Sequence, residues 1–282
     1  MGGDTLAVTA TWRSRSVVLV VLVIVLVLGS CTSNSGSGTA ADSGSGSAAD
    51  RACVDSGEPF EGETQLFIEN NATDQDTGVH GVIGSEGVSD LCIRTPDGTE
   101  MLLVAPENEF GELGISDFLF ESREPPIDEY PISELEKDFP EGEYRISGTG
   151  ADGTPRVGTA LFTHDIPAAP GIEAPPLAEE ENANDVTLPP TGLVVRWAPV
   201  TETIDGAPLS VTAYEVIVTE VKHEDPNGQS RPAYDVTIPS DRTELAVVDG
   251  FLRPGTVYEV EVLVVEESGN RTISAGFFTT AS

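Results

Sequence analysis

The sequence predicts an all-β protein: two β-sandwich domains in tandem, set behind an export signal and a flexible tether. Three observations predict it. From Ala52 onward, strand-length runs of Val, Ile, Leu and Phe recur between clusters of Gly, Pro, Asn and Asp. Beyond Asn184 those runs alternate apolar and polar with a period of two, the pattern of half-buried strands. Two low-complexity tracts, one rich in Ser and Gly and one rich in Pro and Glu, cut the chain into blocks. The boundaries are a signal peptide (1–30), a tether (31–51), a first sandwich (52–168), a linker (169–185) and a second sandwich (186–282).

The signal comes first. Arg13 and Arg15 precede an unbroken apolar run from Val17 to Leu28, which falls short of the about 20 residues a permanent membrane helix needs. Such a segment is removed after export. The closing residues Leu28-Gly29-Ser30-Cys31 resemble the lipobox of bacterial lipoproteins. That resemblance implies a diacylated Cys31 at the mature N-terminus, and so an exported protein whose partner is the membrane, through its lipid. Thr32 stands where an Asp often marks inner-membrane retention in that family, so the resemblance implies the outer membrane or the outer face. Thr32 to Ala49 is Ser, Gly, Thr, Ala, Asn and Asp, a flexible coil with a reach of about 25 Å.

Charge narrows the partners. There are 14 Lys and Arg against 48 Asp and Glu, a net charge of -34, and the lysines are Lys137 and Lys222. A surface this acidic repels nucleic acid and anionic headgroups. It resembles the surfaces of proteins from saline habitats. Of the three cysteines, lipid takes Cys31, leaving Cys53 and Cys92 as an even pair in an oxidising compartment, most simply a disulfide. The alternation of Leu91 and Ile93 against Asp90, Cys92 and Arg94 puts that sulfur on the polar face of its strand.

In the first domain, strand-length runs are Gln65–Ile68, Val79–Ile83, Asp90–Arg94, Met101–Val104, Asp117–Phe120, Glu143–Ser147 and Gly158–Thr163. Ser133 and Glu136 have capping-box spacing ahead of Pro140, which predicts one short helix in a crossover. Short strands with a single helical connection make an immunoglobulin-like sandwich. Asn71, Asp74 and Asp76 are the candidate metal ligands, oxygens that a turn could aim at one Ca²⁺. The full calcium-loop pattern is absent, and a solvated polar turn is the simpler reading. His80, His164 and His223 are scattered, with no nucleophile elbow and no phosphate-binding glycine loop. No catalytic residues are assigned and no cofactor is expected beyond that calcium. Asn71-Ala72-Thr73 and Asn270-Arg271-Thr272 have the form of glycosylation sequons, read as unused in a bacterial lipoprotein.

In the second domain Leu193, Val195 and Trp197 share a face, as do Tyr214, Val216 and Val218, and Tyr258, Val260, Val262 and Val264, with Glu259 and Glu261 outward. Pro189-Pro190, Trp197, Tyr214, the stretch Leu252 to Tyr258 and Gly269 together resemble the fibronectin type III domain. The resemblance implies that Trp197 and Tyr214 lie in the core and that Tyr258 makes the corner hydrogen bond. It implies fold rather than function. The loop Thr219 to Pro232, with His223, is read as a solvated excursion.

The expected function is a non-catalytic, lipid-anchored cell-surface protein that binds a protein or surface partner or spaces other components. The alternative is an exported hydrolase or Ca-dependent enzyme with its site in the first domain, since glycoside hydrolysis needs only two placed carboxylates. Carbohydrate recognition wants exposed aromatic platforms, and the core needs Trp197, the one tryptophan left after signal removal.

Overall fold

A computed structural model describes residues 53–179, 186–222 and 233–282. The signal peptide, Cys31, the tether and His223 lie outside these described residues. The described residues belong to one compact unit, within which two hydrophobic cores form.

The first core is built from β1 (Glu58–Pro59), β2 (Thr64–Asn71), β3 (Asp76–Arg94), β4 (Glu100–Val104), β5 (Ile115–Glu121), β6 (Gly142–Gly150) and β7 (Pro155–Phe162). Helices α1 (Asn108–Leu113) and α2 (Ile132–Asp138) lie in its connections. Strands β2 and β3 form a hairpin in which Phe67 opposes His80 and Asn71 opposes Asp76. The runs Val79–Ile83 and Asp90–Arg94, expected as separate strands, are two halves of β3, which is 19 residues long. Its first half is flanked by β2 and β5 and its second by β4 and β6, with a register shift between Gly84 and Val88. The glycines that read as a turn therefore mark a bend within one strand, where a missing side chain lets the ladder be interrupted without ending. Leu66, Ile68, Val79, Ile83, Leu91, Ile93, Tyr144, Ile146 and Phe162 fill the core.

The short helix is present, but its start differs. Pro131 caps α2, its carbonyl accepting from Glu134 N at 2.8 Å, and Ser133 lies inside the first turn. Proline fixes the entry angle, and burial of Leu135, 2% exposed, docks the helix. Helix α1, which buries nothing, has no periodicity by which the sequence could announce it.

Cys53 and Cys92 form a disulfide with a Cα–Cα distance of 5.4 Å, within the usual range. Contrary to the polar-face expectation, Cys92 is only 3% exposed. The N-terminal segment covers that face: Val54 N donates to Ser147 Oγ at 3.2 Å, and Arg94 donates to the Cys53 carbonyl at 3.1 Å and to Asp55 Oδ1 at 2.7 Å.

The second core lies between two sheets. One is β8 (Ile172–Ala174), β10 (Val194–Trp197) and β13 (Glu244–Ala246); the other runs β12 (Ala233–Pro239), β11 (Val211–Glu220), β14 (Val257–Glu266) and β15 (Arg271–Thr280), with β9 (Thr187–Leu188) on β15. Trp197, Tyr214 and Tyr258 are each 1% exposed. The Trp197 and Tyr214 ring centroids are 5.3 Å apart. Tyr214 Oη accepts from Val200 N at 2.8 Å, and Tyr258 Oη accepts from Arg253 N at 2.9 Å, a tyrosine corner. With that strand order and corner, the C-terminal sandwich is fibronectin type III-like. Two expectations change. Part of the supposed linker is β8, where Ile172 pairs with Trp197 and Ala174 with Arg196; a Pro-rich tract can still supply a short edge strand. Glu261 does not project into open solvent: it is 6% exposed, on a face where Ile217, Leu263 and Ile273 make a small apolar cluster of their own.

The two sandwiches share a sheet. Strand β15 pairs in parallel with β2, matching Arg271 with Glu69, Thr272 with Asn70 and Ile273 with Asn71, so a twelve-stranded sheet runs through both. Asn270, fully buried, accepts from Ile68 N at 2.7 Å and donates to the Thr163 carbonyl at 3.1 Å and to Thr163 Oγ1 at 3.0 Å. Thr272, equally buried, donates to the Pro167 carbonyl at 2.6 Å. Asn270 is thus a structural bridge, with both ends of its amide engaged.

These contacts change what an isolated C-terminal piece must contain. A fragment starting at Asn184 lacks β8, and one starting at Ala168 keeps it. The shorter fragment should melt at lower urea; equal midpoints would show that β8 contributes nothing. In the full chain, Trp197→Ala should cost about 3–5 kcal/mol by opening a cavity, and Tyr258→Phe about 0.5–1.5 kcal/mol. Urea melts followed by circular dichroism check that order, and a silent Trp197→Ala contradicts the core assignment.

Candidate functional site

The hairpin β2–β3 sets side chains on one face in alternation, and β5 adds another strand. Phe67 and Glu69 from β2 and His80 from β3 share that face, with Glu121 of β5 opposite His80. The loop after β5 brings Glu124 over the strand, its Oε1 3.0 Å from His80 Nε2. Gly78 makes room for this: a Cβ there would sit 2.7 Å from Glu124 Cγ and 3.0 Å from its Oε1. Ser122 anchors the same loop, accepting from Val79 N at 3.0 Å. The His80 ring stacks on Phe67 at a centroid distance of 5.3 Å and 28° between planes. The Arg271 guanidinium lies 4.1 Å from the centroid of that phenyl ring, a cation–π contact.

One donor atom from each of Glu69, His80 and Glu124 lies within 4.8 Å of the others. Glu69 is 8% exposed. Burial raises its pKa above the usual carboxylate range, opposed by the charges of His80 and Arg271. Burial alone would lower the pKa of His80, but the hydrogen bond its ring makes to the Glu124 carboxylate and the charge of Glu69 outweigh it and raise the value. Asp76 is pushed up to about 6 by burial and then by Glu124 and Asp74. Its Oδ1, like Arg271 Nε, is buried without a hydrogen-bond partner among the described residues.

The sequence-derived calcium ligands are arranged differently. Asn71 Oδ1 accepts from Thr73 N and Asp74 N, each at 3.0 Å, and its Nδ2 donates to Asp74 Oδ2 at 3.2 Å. Asn71 closes the hairpin as an Asx turn, with its oxygen engaged by backbone. Asp76 belongs to the start of β3. Of the three histidines thought to be scattered, His80 is given acidic partners by the fold. Half of that was legible: a hairpin turning at Ala72–Gln75 places Glu69 and His80 on one face. Glu124, 44 residues along the chain from His80, carried no such signal.

The acidic strip continues across β15. Arg271 Nη1 lies 3.9 Å from Glu215 Oε2 on β11. Glu215 is raised to about 7 by burial and by hydrogen bonding to Asp235 of β12, with Arg271 opposing. Glu261 is raised to about 8 by burial and then by Glu259, Glu69, Asp74 and Glu215.

No family model and no curated protein matches the sequence. Among solved structures the chain is similar to the third fibronectin III domain of human KIAA0343 protein, at 19% identity, covering 43% of this chain and 88% of that one with a TM-score of 0.30. It is similar to the FN1–FN3 domains of chicken CNTN1, at 14% identity over 80% of this chain and 68% of that one, TM-score 0.29. It is also similar to a two-domain fibronectin type III segment of chicken tenascin, at 13% identity over 79% and 99%, TM-score 0.28. The description of the C-terminal sandwich rests on its own strand order and tyrosine corner.

An acid whose folded pKa exceeds its unfolded one, about 4 for Asp and Glu, binds its proton more tightly in the folded state. Asp76, Glu215 and Glu261 therefore favour folding at low pH and lose that contribution as pH rises through about 6 to about 8. His80, also raised, has the same sign. The melting temperature should rise on going from about pH 8 to about pH 5, and Glu261→Gln should flatten the slope. A melting temperature that falls over that interval contradicts the assignment.

Proposed function

We propose that this chain is an exported, lipid-anchored surface protein, non-catalytic, whose fused β-sandwiches bind a protein or surface partner or hold one at a set distance from the membrane. The observation that carries the reading is the shared sheet: β2 and β15 pair directly, and the buried Asn270 locks the joint. A flexible pair of modules suits independent binding, whereas a joint closed by main-chain pairing suits presentation of one continuous surface. The Cys53–Cys92 bridge, which fits an oxidising compartment, and the net charge of -34, which disfavours nucleic acid, support the same reading. Anchoring through Cys31 on the outer membrane or outer face rests on the lipobox resemblance.

Expression of wild type and Cys31→Ser in a lipoprotein-processing bacterium tests the anchor. Wild type should carry diacylglycerol by mass and enter the detergent phase, and the variant should do neither. Equal mature mass and equal partitioning would overturn the anchored reading. Specific hits on a glycan array would move the ligand class from protein to carbohydrate.

A further inference from the structure

The set Glu69, His80 and Glu124 satisfies requirements that the binding or spacer reading does not use. Its donors are two carboxylate oxygens and one imidazole nitrogen, all within 4.8 Å of one another. Bound to one ion at about 2.0–2.2 Å, as zinc is by His and carboxylate, donors stand roughly 3.0–3.5 Å apart. His80 Nε2 and Glu124 Oε1 already stand 3.0 Å apart, so the distance left to close is that to Glu69. The ring of His80 is already set by stacking on Phe67, and Glu124 is set over Gly78.

A second observation is independent of this spacing. Glu69 is more than nine-tenths buried, and on the same face of the hairpin Asp76 Oδ1 is buried with no hydrogen-bond partner among the described residues. Buried polar groups are ordinarily paired, and an unpaired one calls for a water or an ion. Arg271 does not fill the need: its guanidinium lies over Phe67, and the nearest carboxylate it reaches is Glu215.

We propose that Glu69, His80 and Glu124 bind one divalent transition-metal cation, with Zn²⁺ the probe of choice. The imidazole decides the class. Calcium and magnesium take oxygen ligands, whereas imidazole suits zinc and its neighbours. The site is separate from the Asn71 turn, and it adjoins the domain joint, because Glu69 is the register partner of Arg271 across β2 and β15.

Calorimetric titration of the full chain with Zn²⁺, in detergent and excess Mg²⁺ to occupy diffuse acidic sites, should show one tight equivalent and a raised melting temperature. His80→Asn and Glu69→Gln should each weaken binding by more than about 10-fold, the lower end of the loss typical when an outer partner of a metal site is removed. Glu143→Gln, at an exposed position on β6, should bind as wild type. If Glu69→Gln disturbs the joint, Glu124→Gln on the loop after β5 carries the same test, with folding checked by circular dichroism. Co²⁺ on the wild type should give visible d–d absorption that His80→Asn abolishes. Absence of binding above the Mg²⁺ background, or unchanged Zn²⁺ affinity in His80→Asn, overturns the proposal without touching the anchored-surface reading.

Discussion

The joint between the sandwiches depends on one buried amide. Asn270 follows Gly269, whose φ of 101° is a conformation suited to glycine. Its own N–H donates to Glu266 Oε1 at 3.0 Å, so the turn between β14 and β15 is closed from within. Its side chain then fixes three things at once: the register of β2 through Ile68 N, the exit of the first domain through the Thr163 carbonyl, and the Thr163 hydroxyl. Each of these groups, left unpaired in the interior, would cost about 1–3 kcal/mol. The hydroxyls around it extend the network, since Thr163 Oγ1 also meets Ser268 Oγ at 2.7 Å and Ser268 meets Glu266.

Once β2 is held against β15, the electrostatics follow. Two half-buried sheet faces, each carrying acids, become one face. Glu69 and His80 come from one domain, and Glu215, Glu261 and Arg271 from the other. In a protein with few cations, this places Arg271 among more carboxylates than it can neutralise. Part of the acidity is thus interior, where burial favours the protonated form, while the rest stays on the solvated surface.

Much of the fold could be read from the chain because its strands obey the two-residue period. Tyr258, Val260, Val262 and Val264 reach the core as their alternation requires, with Tyr258 at the corner that the fibronectin resemblance implies. The failures have physical causes. Gly84 and Gly87 look like a turn because glycine serves a bend within a strand as well as one between strands. Ser133 has the spacing of a cap, but Pro131, two residues earlier, fixes the backbone first. The Pro-rich stretch before Asn184 resembles a linker until Ile172 finds Trp197. The parallel pairing of β2 with β15 joins residues about two hundred positions apart, and no local pattern encodes it. Glu124 is invisible for the same reason, since its place over Gly78 exists only after β5 has paired with β3.

The disulfide determines where tension enters the molecule. Cys53 lies ahead of β1 and is bonded to Cys92 in the second half of β3, the strand that pairs with β2, β4, β5 and β6. A pull on the chain ahead of Cys53 is therefore delivered through a covalent bond to the most extensively paired strand, bypassing the two-residue β1. Peeling from the N-terminal edge, the easiest way to unravel a sheet one strand at a time, is closed to it. Mechanical load must instead break several ladders together or travel through β2 into the second sandwich.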